Sequence, residues 1–139
     1  MKKLKLDSDS LALIGTFEKL TRAKVKDCFT DSQGVVVFVI QQGYIAKALG
    51  KHGKTAVMVT EKLKRKIKIV EYSPDLIKFI KNLILPYQVD KIEQEGKVVT
   101  LYSDDTHVKG LLIGKNGKNL RNYETIVKRY FDIDEIKVK

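Results

Sequence analysis

Gly50-Lys51-His52-Gly53 recurs as Gly114-Lys115-Asn116-Gly117, with both glycines displaced by the same 64 positions, and this repeat constrains the fold of the 139-residue chain more than any other feature. In the same register Leu49 falls on Ile113, Lys51 on Lys115, Lys54 on Lys118 and Lys64-Arg65 on Lys128-Arg129. A constant offset across matching segments marks an internal duplication, so the chain reads as two similar units, residues 1–73 and 74–139. A unit of about 70 residues buries a modest share of its surface and is only marginally stable alone, so the halves would gain from packing together.

The element order repeats as well. Asp7 to Ser10 supplies capping side chains, and Leu13, Ile14, Phe17 and Leu20 mark one apolar face of a helix over about 8–22. Val25 to Asp31 and Val35 to Ile40 read as strands joined by Ser32-Gln33-Gly34. The second of these is continuously apolar, as expected of a strand covered on both faces, by its own helices and by the other half. A short helix over 43–49, the glycine loop, a helix over 54–65 and a strand over 67–72 complete αββααβ. In the second unit Ser73 is the expected cap of the next helix, with Pro74 at its first position and Pro86 after its end. Strands over 87–93 and 98–103 flank a turn at 94–97. A helix over 106–113, the second loop, a helix over 118–131 and a strand over 135–138 follow. The repeat slips only there, where Ile67 to Val70 matches Ile136 to Val138.

A Gly-x-x-Gly loop between two helices turns tightly and lets a second backbone approach, because neither glycine carries a Cβ. It opens onto a helix N-terminus, where unpaired N–H groups and the dipole attract phosphate. Here a lysine follows each glycine in both copies. The chain holds 27 Lys+Arg against 17 Asp+Glu, net +10, which selects a polyanion partner, nucleic acid before membrane. Residues 1–73 carry 15 basic and 7 acidic side chains, net +8, and residues 74–139 carry 12 and 10, net +2. The first unit should therefore supply more of the phosphate attraction. The run Lys62 to Lys68 reads as a solvated helix end that adds to this field.

At these residues the sequence resembles the type II KH domain family, and within it the archaeal NusA-like transcription factors built of two tandem KH domains. The matching segments are Leu49-Gly50-Lys51-His52-Gly53-Lys54 and Leu112-Ile113-Gly114-Lys115-Asn116-Gly117-Lys118. The resemblance covers nearly the whole chain and implies an α+β fold with two three-stranded mixed sheets, each with helices on one face. It implies that the loops clamp the backbone of single-stranded RNA, about four nucleotides per domain. The implied RNA contacts are Lys47, Gly50, Lys51, His52, Gly53 and Lys54 in the first unit. Gly114, Lys115, Asn116, Gly117, Lys118 and Arg121 are those of the second. Ile45, Leu49, Ala56 and Ile69, with Ile113 and Leu120, are the implied groove residues for bases, on a wall shared with the core. Bacterial NusA proteins also carry a polymerase-binding domain and an S1 domain that have no counterpart here, so RNA polymerase is a weaker implication than RNA.

Other chemistries find little support. Ala48 to Thr55 meets the loosest form of a P-loop, but it follows a helix where a nucleotide site needs a buried strand, and the second copy reads Gly117-Lys118-Asn119. His52 and His107 lack metal-ligand spacing, and Cys28, the only cysteine, reads as a buried strand residue. No catalytic acids or Ser/His/Asp grouping cluster, so neither an enzyme, a cofactor, a metal nor a small-molecule substrate is expected. The basic start, Met1 to Leu6, runs into Asp7 to Ser10 where a signal peptide needs an apolar stretch, and no segment approaches the roughly 18 apolar residues of a membrane span. The expectation is a cytoplasmic, non-enzymatic RNA-binding factor of transcription termination or antitermination. A ribosome-associated or RNA-processing KH protein is the alternative.

Overall fold

The computed structural model describes residues 7–139, so the basic start at Met1 to Leu6 lies outside the described residues. These divide into two compact units, 7–73 and 74–139.

In the first unit α1 (Ser8–Thr21) begins at Asp7, whose carboxylate accepts from the Ser10 N–H at 2.7 Å. It stops at Arg22, which takes a left-handed conformation and returns its N–H to the Glu18 carbonyl. β1 (Val25–Thr30) pairs antiparallel with β2 (Val36–Ile40), and after α2 (Ile45–Leu49) and α3 (Lys54–Leu63) the strand β3 (Ile67–Glu71) returns parallel to β2. The order β1-β2-β3 puts β2 in the centre and leaves β3 as an edge. Side chains alternate along a strand, so Val36, Phe38 and Ile40 share one face. That face joins Phe17 of α1, Ala48 of α2 and Val59 of α3 in the core, with Phe17 stacked on Phe38 at 4.2 Å between centroids. Val37 and Val39 on the opposite face are equally inaccessible, so the uninterrupted apolar run does mark a strand buried on both sides.

The second unit repeats this with α4 (Leu76–Ile84), β4 (Lys91–Glu95), β5 (Val98–Tyr102), α5 (Thr106–Ile113), α6 (Lys118–Lys128) and β6 (Glu135–Val138), in the sheet order β4-β5-β6. β5 pairs antiparallel with β4 and parallel with β6. Leu76, Phe79, Ile80, Leu83 and Ile84 bury one face of α4, and Phe79 meets Tyr130 edge-on at 5.3 Å. The α+β class, the two mixed three-stranded sheets and the αββααβ order are those expected for tandem KH-like domains.

Three local expectations are corrected. α4 is capped by Asp75, whose Oδ1 accepts from the Ile77 N–H at 3.0 Å, and not by Ser73, which is buried. Pro74 therefore precedes the helix. β4 spans Lys91–Glu95 rather than 87–93, because Gly96 at φ 60° makes a two-residue turn that pairs Glu95 with Val98, and the length of β5 then carries the pairing back to Lys91. α6 ends at Lys128 rather than near Phe131, since Arg129 and Tyr130 return their N–H groups to carbonyls only three residues back, at 3.1 and 3.0 Å.

Candidate nucleic-acid interface

The two glycine loops have nearly the same backbone. Gly50 lies at φ 72°, ψ 175° and Gly114 at 73°, 174°; His52 lies at 56°, 28° and Asn116 at 57°, 27°. Gly53 and Gly117, at φ 73° and 74°, then launch α3 and α6. Each loop is held by its own hydrogen bonds: Gly50 N–H to Ala46 carbonyl at 2.9 Å and Gly53 N–H to Gly50 carbonyl at 3.2 Å, against 2.8 and 3.2 Å for Gly114 to Gly110 and Gly117 to Gly114.

The first and second glycine of each loop are required for different reasons. A Cβ on Gly50 would overlap the Thr55 side chain, and one on Gly114 would come within 2.6 Å of Asn119 Cγ. Gly53 has open space around it and Gly117 only ordinary contact, so there the positive φ alone selects glycine. Thr55 and Asn119 are loop-supporting residues that the sequence reading missed, although both stand two places after the second glycine. Asn119 also donates from Nδ2 to the Leu111 carbonyl at 2.8 Å and so ties α6 to α5.

Lys51, His52 and Lys54 are exposed on the first loop and Lys115, Asn116 and Lys118 on the second. Lys47 is exposed one turn before the first loop, its Nζ 5.4 Å from the centre of the Tyr44 ring. Arg121 is exposed but committed in part to its own loop, donating from Nη1 to the Asn116 carbonyl at 3.0 Å. Neither α3 nor α6 has a side-chain cap; Lys54 and Lys118 return their N–H groups to the Lys51 and Lys115 carbonyls, and no capping side chain competes with an anion for the N–H groups that follow, beside the lysines.

Next to the first loop an open, mainly apolar groove of about 480 Å³ runs between α3 and the edge strand β3. Leu49, Ala56 and Ile69 line it, and Val57, Thr60, Glu61 and Ile67 complete its wall. Ile45 is not part of this lining; like Ile67 and Ile69 it packs against the core cluster of its unit. On the β3 residue between Ile67 and Ile69, burial pushes the Lys68 ammonium below its ordinary pKa, with Asp31 opposing the shift. In the second unit Ile113 and Leu120 are half-buried. One turn after Leu120, the Glu124 Oε2 accepts from the Ile136 N–H of β6 at 2.8 Å.

Among the described residues no three His, Cys, Asp or Glu side chains gather to hold a metal ion, and no helix is long and apolar enough to cross a membrane. Cys28 is buried.

No protein-family model matches the chain. It is similar to the "Probable transcription termination protein NusA" of Methanocaldococcus jannaschii, 35% identical over 141 residues that cover 99% of this chain and 76% of that one. The proteins of the same name from Halobacterium salinarum and Thermoplasma acidophilum are 30% and 29% identical, covering 97% and 100% of this chain and 98% of each relative. Among solved structures, the crystal structure of APE1850 matches 96% of this chain and all of its own at TM-score 0.76 and 24% identity, a likeness of fold. With the repeated loops, the two αββααβ units and relatives that align over nearly the whole of this chain, the chain belongs to the archaeal NusA-like family of transcription termination proteins.

Proposed function

We propose that this protein binds single-stranded RNA through its two Gly-x-x-Gly loops and acts in transcription termination or antitermination by that contact. Residues 1–73 and 74–139 are each one KH domain in this reading. The observation that carries it is the near-identity of the two loop backbones, each exposing lysines beside an uncapped helix N-terminus. A helix turn needed only for folding has no reason to keep a lysine after each glycine in both copies, whereas a phosphate clamp does. The groove beside the first loop supports base contact, since an apolar wall against a strand edge accepts a splayed base and not a paired one.

The partner in the cell is nascent RNA, met together with RNA polymerase. The name carried by the relatives favours that assembly over the ribosome. The decisive experiment replaces Lys51 and His52 together by Asp. Affinity for a single-stranded oligonucleotide should fall at least about tenfold at low salt, with the melting temperature retained, because both side chains are exposed. Unchanged affinity would remove the loop from the RNA contact.

A further inference from the structure

The two units repeat the loop but not what lies beside it. β3 and β6 are the corresponding edge strands. At the two ends of β3, the Lys66 carbonyl accepts from Val36 and the Tyr72 N–H donates to Ile40, so even-numbered residues face β2 and the backbone N–H and C=O of Ile67 and Ile69 face outward. Ile69 lines the open groove there. Just past β6, Lys139 donates to the Leu101 carbonyl, so by the same alternation Ile136 faces outward, and its N–H is the one taken by Glu124 at 2.8 Å. Glu124 stands seven residues after Gly117. The residue seven after Gly53 is Thr60, a groove wall residue whose hydroxyl donates to the Ala56 carbonyl in its own helix at 3.0 Å.

We propose that Glu124 closes the base-reading edge of the second unit, so that the first unit reads bases while the second holds backbone alone. This rests on the RNA-binding reading above. A carboxylate bonded across from α6 to β6 takes the donor a base would use. It also puts negative charge where phosphate and base carbonyl oxygens would approach. Thr60 does neither, being short, neutral and satisfied within its helix. Glu61 also stands on the wall of the first groove, exposed, but Glu124 is the carboxylate bonded to its edge strand, and by that bond it is a specificity-determining residue that divides the labour of two otherwise matching loops.

The test uses the full chain, its Glu124→Thr and Thr60→Glu variants, and an eight-nucleotide single strand carrying 4-thiouridine at each position in turn, with crosslinks mapped by mass spectrometry. The parent should crosslink through bases to peptides containing Leu49, Ala56 or Ile69 and not to those containing Leu120 or Ile136. Glu124→Thr should gain the second set. Thr60→Glu should lose the first, with affinity falling roughly tenfold, the scale of one lost base contact. Equal base crosslinking to both sets in the parent would overturn the proposal while leaving RNA binding intact. A readout without RNA decides the closure itself: amide exchange at Ile136 should be slower than at Ile69 and should accelerate in Glu124→Thr, while Glu124→Gln, which keeps an acceptor oxygen, should retain most of the protection. Equal exchange at the two amides in the parent would overturn the closure. Failure of the strand to bind anywhere would instead overturn the RNA reading, and the exchange comparison would still stand.

Discussion

Thr55 occupies the space that a Cβ on Gly50 would need: such a Cβ would lie 2.6 Å from the Thr55 Cβ and 2.8 Å from its backbone nitrogen. Gly50→Ala should therefore destabilise the first unit by about 3 kcal/mol, combining left-handed strain with overlap. Gly53→Ala meets only the strain and should cost about 1 kcal/mol. Thr55→Ala should not rescue Gly50→Ala, because the obstructing Cβ and nitrogen remain. Urea denaturation of the four proteins checks the ranking, and equal losses for the two glycine variants would contradict it.

Charge predicts unequal loops. Aspartates at Lys115 and Asn116 should weaken single-strand binding less than the same change at Lys51 and His52, because the first half carries net +8 against +2. Fluorescence anisotropy at one low salt concentration compares them directly. The difference should shrink as salt rises and screens the field.

Length and pairing of the ligand should matter together. Affinity should increase from about four nucleotides, one domain's share, to roughly twice that, since a second site on the same chain raises effective concentration. A hairpin of the same composition should bind more weakly, because its base edges are paired away. The logarithm of affinity should also fall with the logarithm of salt, by about 0.7 per phosphate neutralised. Indifference to both length and pairing would indicate a basic surface that holds polyanions without its groove.

The core of the first unit offers a control that touches no proposed RNA contact. Phe38 is fully buried and stacked on Phe17, so Phe38→Ala should lower stability by about 3–5 kcal/mol. A loss below about 1 kcal/mol, read by denaturant titration, would mean that α1 does not depend on this contact.

The glycine register made the duplicated architecture and both loops legible before any coordinates, because glycine at positive φ is a local requirement that one residue type meets best. The continuous apolar run of β2 likewise announced burial on both faces. What escaped depended on partners distant in sequence. Tyr87 to Asp90 alternates like a strand, yet β4 begins at Lys91 because β5 and the Gly96 turn set its register. Ser73 and Asp75 are both good caps, and only the path of the chain into α4 chooses between them. Within the loop region, Thr55 looked like part of a nucleotide motif when its role is steric. Glu124 drew no notice, since a glutamate on an exposed-looking helix gives no hint that a strand twelve residues later will offer it an amide.

His52 and Asn116 sit in left-handed backbone at the centre of loops already closed by their own hydrogen bonds. A strand arriving there meets donors whose directions are set, so little chain entropy is lost on the protein side when the complex forms. The ordering falls on the nucleic acid instead. Among strands of equal charge, the loops should therefore favour those that are least stacked and most easily bent to a fixed template, a preference for pliancy that exists before any base is read.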